Sequence, residues 1–408
     1  IGMPMPFVLG LFLGTSLVFG LAVWLFRRLS RKGLPLFAAL SVPAVWVTLE
    51  YLFSLALPHG AYWSLAYTQA DLLPVVQTAS VTGVWGVTFL VLLAPAAIAA
   101  MSAPALLRRS RRATALVALV LIAVPVGYGA VRLATAPEPG ESTTMAALAM
   151  PAPWPVMPYE APESAALTAS YRAELPAVAA SGATVVVLPE KIFRVREADA
   201  AGFLATWSAM AVEAKIDVVV GAALGQDGST YNVAIHLPAD GSAPTVYRKH
   251  HMIPGLETDA PAGEPELTPG DELAFVPGTS WGLIVCKDLD FPALAADYRD
   301  AGAAVLLAPA RDVDVDEWAH SRSAVGRGIV QGLSVVRSAA QGLATISDPY
   351  GHVAESDGAA VVVAVGTTGP PTVYGVLGDW FAWLSALVLA ACLFPVLARR
   401  PRPLALAA

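Results

Sequence analysis

Four apolar stretches stand in succession at the start of the chain, about Pro6 to Phe26, Leu34 to Leu55, Val75 to Met101 and Ala113 to Val131, and a fifth runs from about Gly378 to Ala398. Each is long enough to cross a bilayer, which takes about 20 helical residues. The chain is 56% hydrophobic and only 14% charged, whereas an ordinary soluble domain is roughly 25% charged, so part of it must lie in lipid. The third stretch is the most polar, with Gln77, Thr78, Ser80 and Thr82 inside it.

Loop charge gives an orientation. Basic clusters stand at Arg27 to Lys32, Arg108 to Arg112 and Arg399 to Arg402, and the loop from Ala56 to Pro74 holds no Lys or Arg. Excess Lys and Arg mark cytoplasmic loops, so alternation puts about Ala134 to Tyr374 outside, and Ile1 with it. A first span that starts outside, in a chain that opens on Ile, points to further spans upstream. The net charge of −7 speaks against a nucleic-acid partner, because a phosphate-binding surface needs a basic excess. Of the two cysteines, Cys392 falls in the last apolar stretch, which separates it from Cys286 and makes a disulfide an unsuitable expectation.

Thr135 to Ser142 reads as a Pro/Gly-rich linker, and beyond it the pattern turns to alternating β and α signals. Strands are expected at Met145 to Met150, Thr184 to Leu188, Asp217 to Ala223, Tyr231 to Leu237, Gly282 to Cys286, Ala303 to Ala308 and Leu343 to Ile346. Helices are expected at Glu163 to Ala180, Arg196 to Ala214 and Ser321 to Ala340. The organisation is therefore a membrane bundle of about four spans over 1–134, one α/β domain over 143–373 and a last span over 377–398.

Three polar residues stand at the ends of β runs: Glu190 after Leu188 and Pro189, Lys249 after Thr245 to Arg248, and Cys286 after Trp281 to Val285. A strand that delivers a thiol to its carboxyl end is where an α/β sheet displays reactive groups. A thiol with a pKa of about 8.5 needs a base or a nearby cation to become a nucleophile at neutral pH. Glu190 fits the base, Lys249 the charge facing an oxyanion, and the backbone N–H of Lys287 a second donor. Together they suggest acyl transfer through a thioester on Cys286.

At these residues the chain resembles the nitrilase superfamily, whose Glu-Lys-Cys triad sits on an α-β-β-α sandwich, and more narrowly the apolipoprotein N-acyltransferase family. Leu188 to Glu190, Tyr247 to Glu257 and Ile284 to Asp288 carry the likeness, with Tyr231, Asn232 and Asp348 to Gly351. In the apolar part Trp46, Glu50, Gly60 to Trp63, Gln69, Gln77, Gly83 to Gly86 and Gly378 to Phe381 join it. The resemblance implies Glu190 as base, Lys249 as oxyanion stabiliser and Cys286 as nucleophile, with Glu257 and Asp288 orienting Lys249 and the pocket. It implies transfer of an acyl chain from a phospholipid to the N-terminal amine of a diacylglyceryl-cysteine lipoprotein, without a cofactor. It further implies a monomer in the bacterial cytoplasmic (inner) membrane, with its catalytic domain on the extracytoplasmic side. The chain departs from the family's pattern in Asp288, where Glu is usual, in Pro309 to Trp318, in Pro254 to Glu257, and in a bundle about three spans shorter.

Other signals read more plainly. The six His residues lack a metal-ligand spacing, and Asp312, Asp314 and Asp316 lack the Gly and distal Glu of a calcium loop, so no metal is expected. The acidic run Asp312 to Glu317 reads as a solvated loop, with acceptor contact as the sharper alternative. His251 is expected to pack or hydrogen-bond within its loop. Glu50 should face the bundle interior or the outer surface, and Tyr62, Trp63 and Tyr67 form an outer aromatic belt. Two other functions share much of this pattern: a membrane-tethered carbon-nitrogen hydrolase (amidase or nitrilase) that passes its acyl group to water, and a non-catalytic module that docks a partner.

Overall fold

The computed structural model describes residues 5–102, 107–138, 140–150, 155–260, 264–312, 315–356 and 360–398. Among them five helices are long and apolar enough to cross a membrane: Phe12–Arg31, Pro35–Ala56, Val84–Met101, Arg108–Ala134 and Trp380–Leu397. Their outer faces carry Leu17, Leu119, Leu387 and Phe394, each more than half exposed, as lipid-facing residues should be. Their inner faces meet through small side chains, among them Ala22, Ala38, Ala39, Ala97, Ala100 and Cys392. With no water to expel in lipid, such residues let backbones approach and gain dispersion contact. Both cysteines are free thiols.

The third apolar stretch is not the single span expected. Leu73–Val76 and Ala79–Thr82 are isolated turns, Gly83 takes a φ of +66°, and the long helix starts only at Val84. Its polar residues are the reason. The Gln77 side-chain amide donates to the Tyr350 carbonyl at 2.7 Å, and Ser80 shares a 2.9 Å hydrogen bond with the Tyr128 hydroxyl. This segment therefore packs beneath the polar domain.

Two sheets face each other in that domain. Six strands of the first lie in the order Val361–Gly366, Ser142–Ala147, Val185–Val187, Asp217–Gln226, Phe193–Val195, Met157–Pro158, and Ser229–Leu237 and Thr245–Arg248 extend it from Asp217–Gln226. The second runs Val353–Ser356, Ala344–Ser347, Ser334–Ala340, Val305–Arg311, Trp281–Leu283, Ala274–Phe275. The two-residue period of a strand decides the layers. Val185 and Val187 point into the core between the sheets with Leu283, Leu307 and Val336, while Val186 points to the opposite face, against Tyr171, Leu175, Phe203 and Trp207 of helices Pro162–Ala180 and Ala200–Ala214. Helices Pro292–Asp300 and Glu317–Gln331 cover the second sheet, which completes an α-β-β-α sandwich.

The helix expected from Ser321 to Ala340 ends at Gln331 instead, and Ser334–Ala340 is a buried strand paired in parallel with Val305–Arg311. Gly332 closes the helix with a φ of +73°, a left-handed cap open to glycine without the Cβ penalty.

Helix Glu317–Gln331 also fixes the sandwich to the membrane part. Val325, Ile329 and Val330 share a core with Tyr67, Trp85 and Tyr374. A Cβ on Gly326 would stand 2.9 Å from the Tyr67 ring, so glycine permits the approach. Arg322 donates to Asp71 at 2.8 Å and to Glu355 at 2.7 Å. Near the last span, Asp379 accepts from the Trp85 indole and the Tyr374 hydroxyl, both at 2.7 Å.

Candidate active site

Strand Val185–Val187 of the first sheet and the parallel pair Val305–Arg311 and Trp281–Leu283 of the second lead into the site. Glu190 lies three residues beyond the first, and its N–H donates to the Ala310 carbonyl at 3.0 Å, a bond that ties the two sheets together. Lys249 follows strand Thr245–Arg248 and is pinned by its N–H to the Asn232 carbonyl at 2.8 Å. Strand Trp281–Leu283 leads through Ile284 and Val285 to Cys286, where the chain turns into a 3₁₀ segment, Cys286–Asp290, with a φ of +45° at the cysteine. A left-handed conformation at a non-glycine residue costs of order 1–3 kcal/mol and persists only where the surroundings impose it.

The side chains converge. The Lys249 ammonium, fully buried, donates to Glu190 Oε1 and to Glu257 Oε2, both at 2.9 Å. Asn232 Nδ2 donates to Glu190 Oε1 at 2.6 Å and to Glu257 Oε1 at 2.7 Å. A second buried cation that the sequence reading passed over, Lys191, donates to Glu257 Oε1 at 2.5 Å and lies 3.9 Å from Glu190 Oε1. Glu257 also accepts from the Ile253 N–H at 3.0 Å. Two carboxylates and two ammonium groups thus neutralise one another where an unpaired charge would be costly.

Burial alone would raise both glutamates, but Lys249 and Lys191 overcome it and hold Glu190 and Glu257 below the usual carboxylate range. Burial would lower Lys249, and the two carboxylates instead push it well above its usual value. Burial and the Glu190 charge push the Cys286 thiol up, against the pull of Lys249. The resting state is therefore a neutral thiol beside an ionised carboxylate. The Cys286 Sγ points at the Arg311 carbonyl at 3.7 Å.

Asp288 does not touch Lys249 directly. It is fully buried and accepts from the Tyr247 hydroxyl at 2.7 Å, the His251 N–H at 2.8 Å and His251 Nδ1 at 3.0 Å, so it clamps the segment that follows Lys249 to the turn that follows Cys286. His251 also stacks on Phe291 with centroids 3.5 Å apart. The acidic run departs from its expectation at Asp312, which is buried, paired with Arg337 and 3.3 Å from His320 Nδ1. Asp314 lies outside the described residues, as does the basic tail Arg399 to Arg402.

The turn after Cys286 rests on the membrane part. Ala61 N–H donates to the Asp290 carbonyl at 2.8 Å, and Arg327 donates to the Leu289 carbonyl at 2.9 Å and the Tyr67 hydroxyl at 3.3 Å. Tyr67, expected in an aromatic belt, is buried in this contact, while Trp63 remains 44% exposed. Glu50 is held at the base of the loop by Ser64 at 2.6 Å, Trp46 at 3.0 Å and Thr88 at 3.1 Å. Among the described residues no cluster of three or more His, Cys, Asp or Glu is arranged to hold a metal ion.

Residues 135–367 match the carbon-nitrogen hydrolase family model, and residues 1–97 match that of the apolipoprotein N-acyltransferase N-terminal domain. The chain belongs to the carbon-nitrogen hydrolase family. Within it, the N-terminal match places the chain in the apolipoprotein N-acyltransferase branch. It is 27% identical to the apolipoprotein N-acyltransferase of Geobacter metallireducens, over 91% of this chain and 77% of that one. It is likewise 27% identical to the protein of that name in Bradyrhizobium diazoefficiens, over 92% and 75%. A solved carbon-nitrogen hydrolase from Helicobacter pylori is similar at a TM-score of 0.48 and 16% identity, covering 64% of this chain and 97% of its own. In this chain the α-β-β-α sandwich is joined to the helical membrane bundle through the same turn that carries Cys286.

Proposed function

We propose that the chain is a membrane N-acyltransferase that moves a fatty acyl group from a phospholipid, through a thioester on Cys286, to the N-terminal amine of a diacylglyceryl-cysteine lipoprotein. One observation favours this over hydrolysis of a small amide: the turn Cys286–Asp290 is docked on the loop between membrane helices Pro35–Ala56 and Val84–Met101, which sets the thiol beside the bilayer part of the chain. The complete buried charge network speaks against a silent docking module. The match of residues 1–97 to the acyltransferase N-terminal domain supports the same choice.

In this reading Glu190 takes the Cys286 proton as sulfur attacks the acyl ester carbonyl. Lys249 has three ammonium N–H groups, two of them bonded to Glu190 and Glu257, and the third faces the oxyanion with the Lys287 N–H. The tetrahedral intermediate collapses, the C–O bond breaks, and Glu190 returns its proton to the departing lysophospholipid oxygen. The lipoprotein amine then attacks the thioester, its proton passes through Glu190 to the leaving sulfur, and the amide departs with the free thiol restored. Glu257 holds Lys249 in place, and Asp288 holds the two loops together.

We divide the chain into a bundle over 1–134, a catalytic domain over 143–373 and an anchor over 377–398, and set the catalytic domain on the extracytoplasmic face of the cytoplasmic membrane. Purified protein given phospholipid and a diacylglyceryl-cysteine peptide should yield N-acylated peptide and one lysophospholipid per transfer. Cys286→Ala should abolish the product while folding intact; product from this variant above a few per cent of wild type would contradict the assignment.

A further inference from the structure

Lys287 is placed unlike the other buried lysines. The residue is only 5% exposed, yet among the described residues no carboxylate oxygen stands within 4.0 Å of its ammonium. Its recorded polar contact is with His59 Nδ1 at 3.4 Å, from the loop that contributes no Lys or Arg. Burial and the lysine charge hold His59 down at about 4, so the imidazole is neutral and can only accept from the ammonium. The nearest acid in electrostatic terms, Asp290, is itself raised by burial and receives a hydrogen bond from Ser323 at 2.9 Å. Burial lowers Lys287 to about 8, the response of a cation with too little negative charge around it.

The surroundings indicate what would supply that charge. Lys287 adjoins Cys286, about 3.8 Å away between Cα atoms, and its ammonium senses Lys249, Glu257 and Cys286 from the membrane side of the site. His59, Tyr62 and Trp63 form an edge-on aromatic group beside it, with centroids 6.4 Å apart for His59 and Trp63 and 5.0 Å for Tyr62 and Trp63. Trp63 is exposed and Tyr62 half-buried, and Trp and Tyr side chains of this kind settle at the headgroup level of a bilayer. In a glycerophospholipid the ester carbonyl and the phosphate are separated by one glycerol unit, a span that one lysine side chain matches. We infer that Lys287, with His59 behind it, is the phosphate-binding point for the donor lipid, holding the headgroup while Cys286 attacks the acyl ester. This inference rests on the acyl-transfer reading.

The test compares two donors carrying the same acyl chains in the same micelles, phosphatidylglycerol and the phosphate-free diacylglycerol, by the rate at which Cys286 gains an acyl group. A charged hydrogen bond to phosphate contributes about 1.5–3 kcal/mol, or roughly ten- to hundredfold. Lys287→Gln should therefore lower the ratio of phospholipid to diacylglycerol rates by at least about tenfold, and Lys287→Arg should retain most of it. An unchanged ratio in Lys287→Gln, with wild-type acylation normal, would overturn the phosphate site alone. A wild-type protein that takes no acyl group from either donor would overturn the acyl-transfer reading and this site with it. Slowing of the wild-type phospholipid reaction by millimolar inorganic phosphate would assign the site to a soluble anion instead.

Discussion

With both carboxylates and both lysines charged, the buried network around Cys286 is neutral, and Lys191 is the member on which that balance turns. Without it Lys249 would face two buried carboxylates alone, and one of them would take up a proton. The two glutamates titrate as a pair. Because both are held low, the ionised base persists below the ordinary carboxylate value of 4.5, and the stability it carries is full above that value and lost as pH falls through the lowered one. The Cys286 thiol, raised by burial, sets a limit on the alkaline side. Acylation of the wild type should therefore be flat across neutral pH, and Lys191→Met should move the acid limb upward into the range where wild type is still at its plateau. Lys191→Arg should restore the wild-type limb. Rates measured against pH decide this, and an acid limb that stays in place in Lys191→Met would reduce Lys191 to packing. Glu190, Lys249 and Cys286 were legible because each ends a β run. Lys191 was not, since a lysine after a strand reads as solvated, and only the tertiary approach of Glu257 from 66 residues away reveals its partner.

The elements were legible where their period was long and uninterrupted, as in the spans Pro35–Ala56 and Trp380–Leu397 and the helix Pro162–Ala180. Strand Ser334–Ala340 was hidden because a short run buried on both faces shows no period that separates strand from helix, and Gly332 alone marks the change. The turns before Val84 were hidden because hydrogen bonds to the distant Tyr350 and Tyr128 hold them out of the span. Orientation is a property of these same helices and their charged ends. Cysteines placed at Ser142, exposed at the start of the sandwich, and at Ser356 should react with a membrane-impermeant thiol reagent from outside intact cells, and one at Ser110 should not. Labelling at Ser110 under the same conditions would invert the orientation and put the chemistry in the cytoplasm.

Across the whole molecule the membrane bundle, the loop 57–72, helix Glu317–Gln331 and the turn after Cys286 form one packed assembly, which seats the thiol-bearing turn on the membrane part. A thioester formed there, beside the bilayer and away from bulk water, should wait for an amine. The direct measurement is the intact mass of the purified protein after incubation with phospholipid and no acceptor. The expected result is a gain equal to one long acyl group, located on Cys286, absent from Cys286→Ala and discharged when a diacylglyceryl-cysteine peptide is added. Lys249→Met should slow its appearance by about 10²- to 10³-fold, the usual loss for one oxyanion donor. No adduct with any phospholipid, alongside turnover of a short amide that depends on Cys286, would show a hydrolase in place of a transferase.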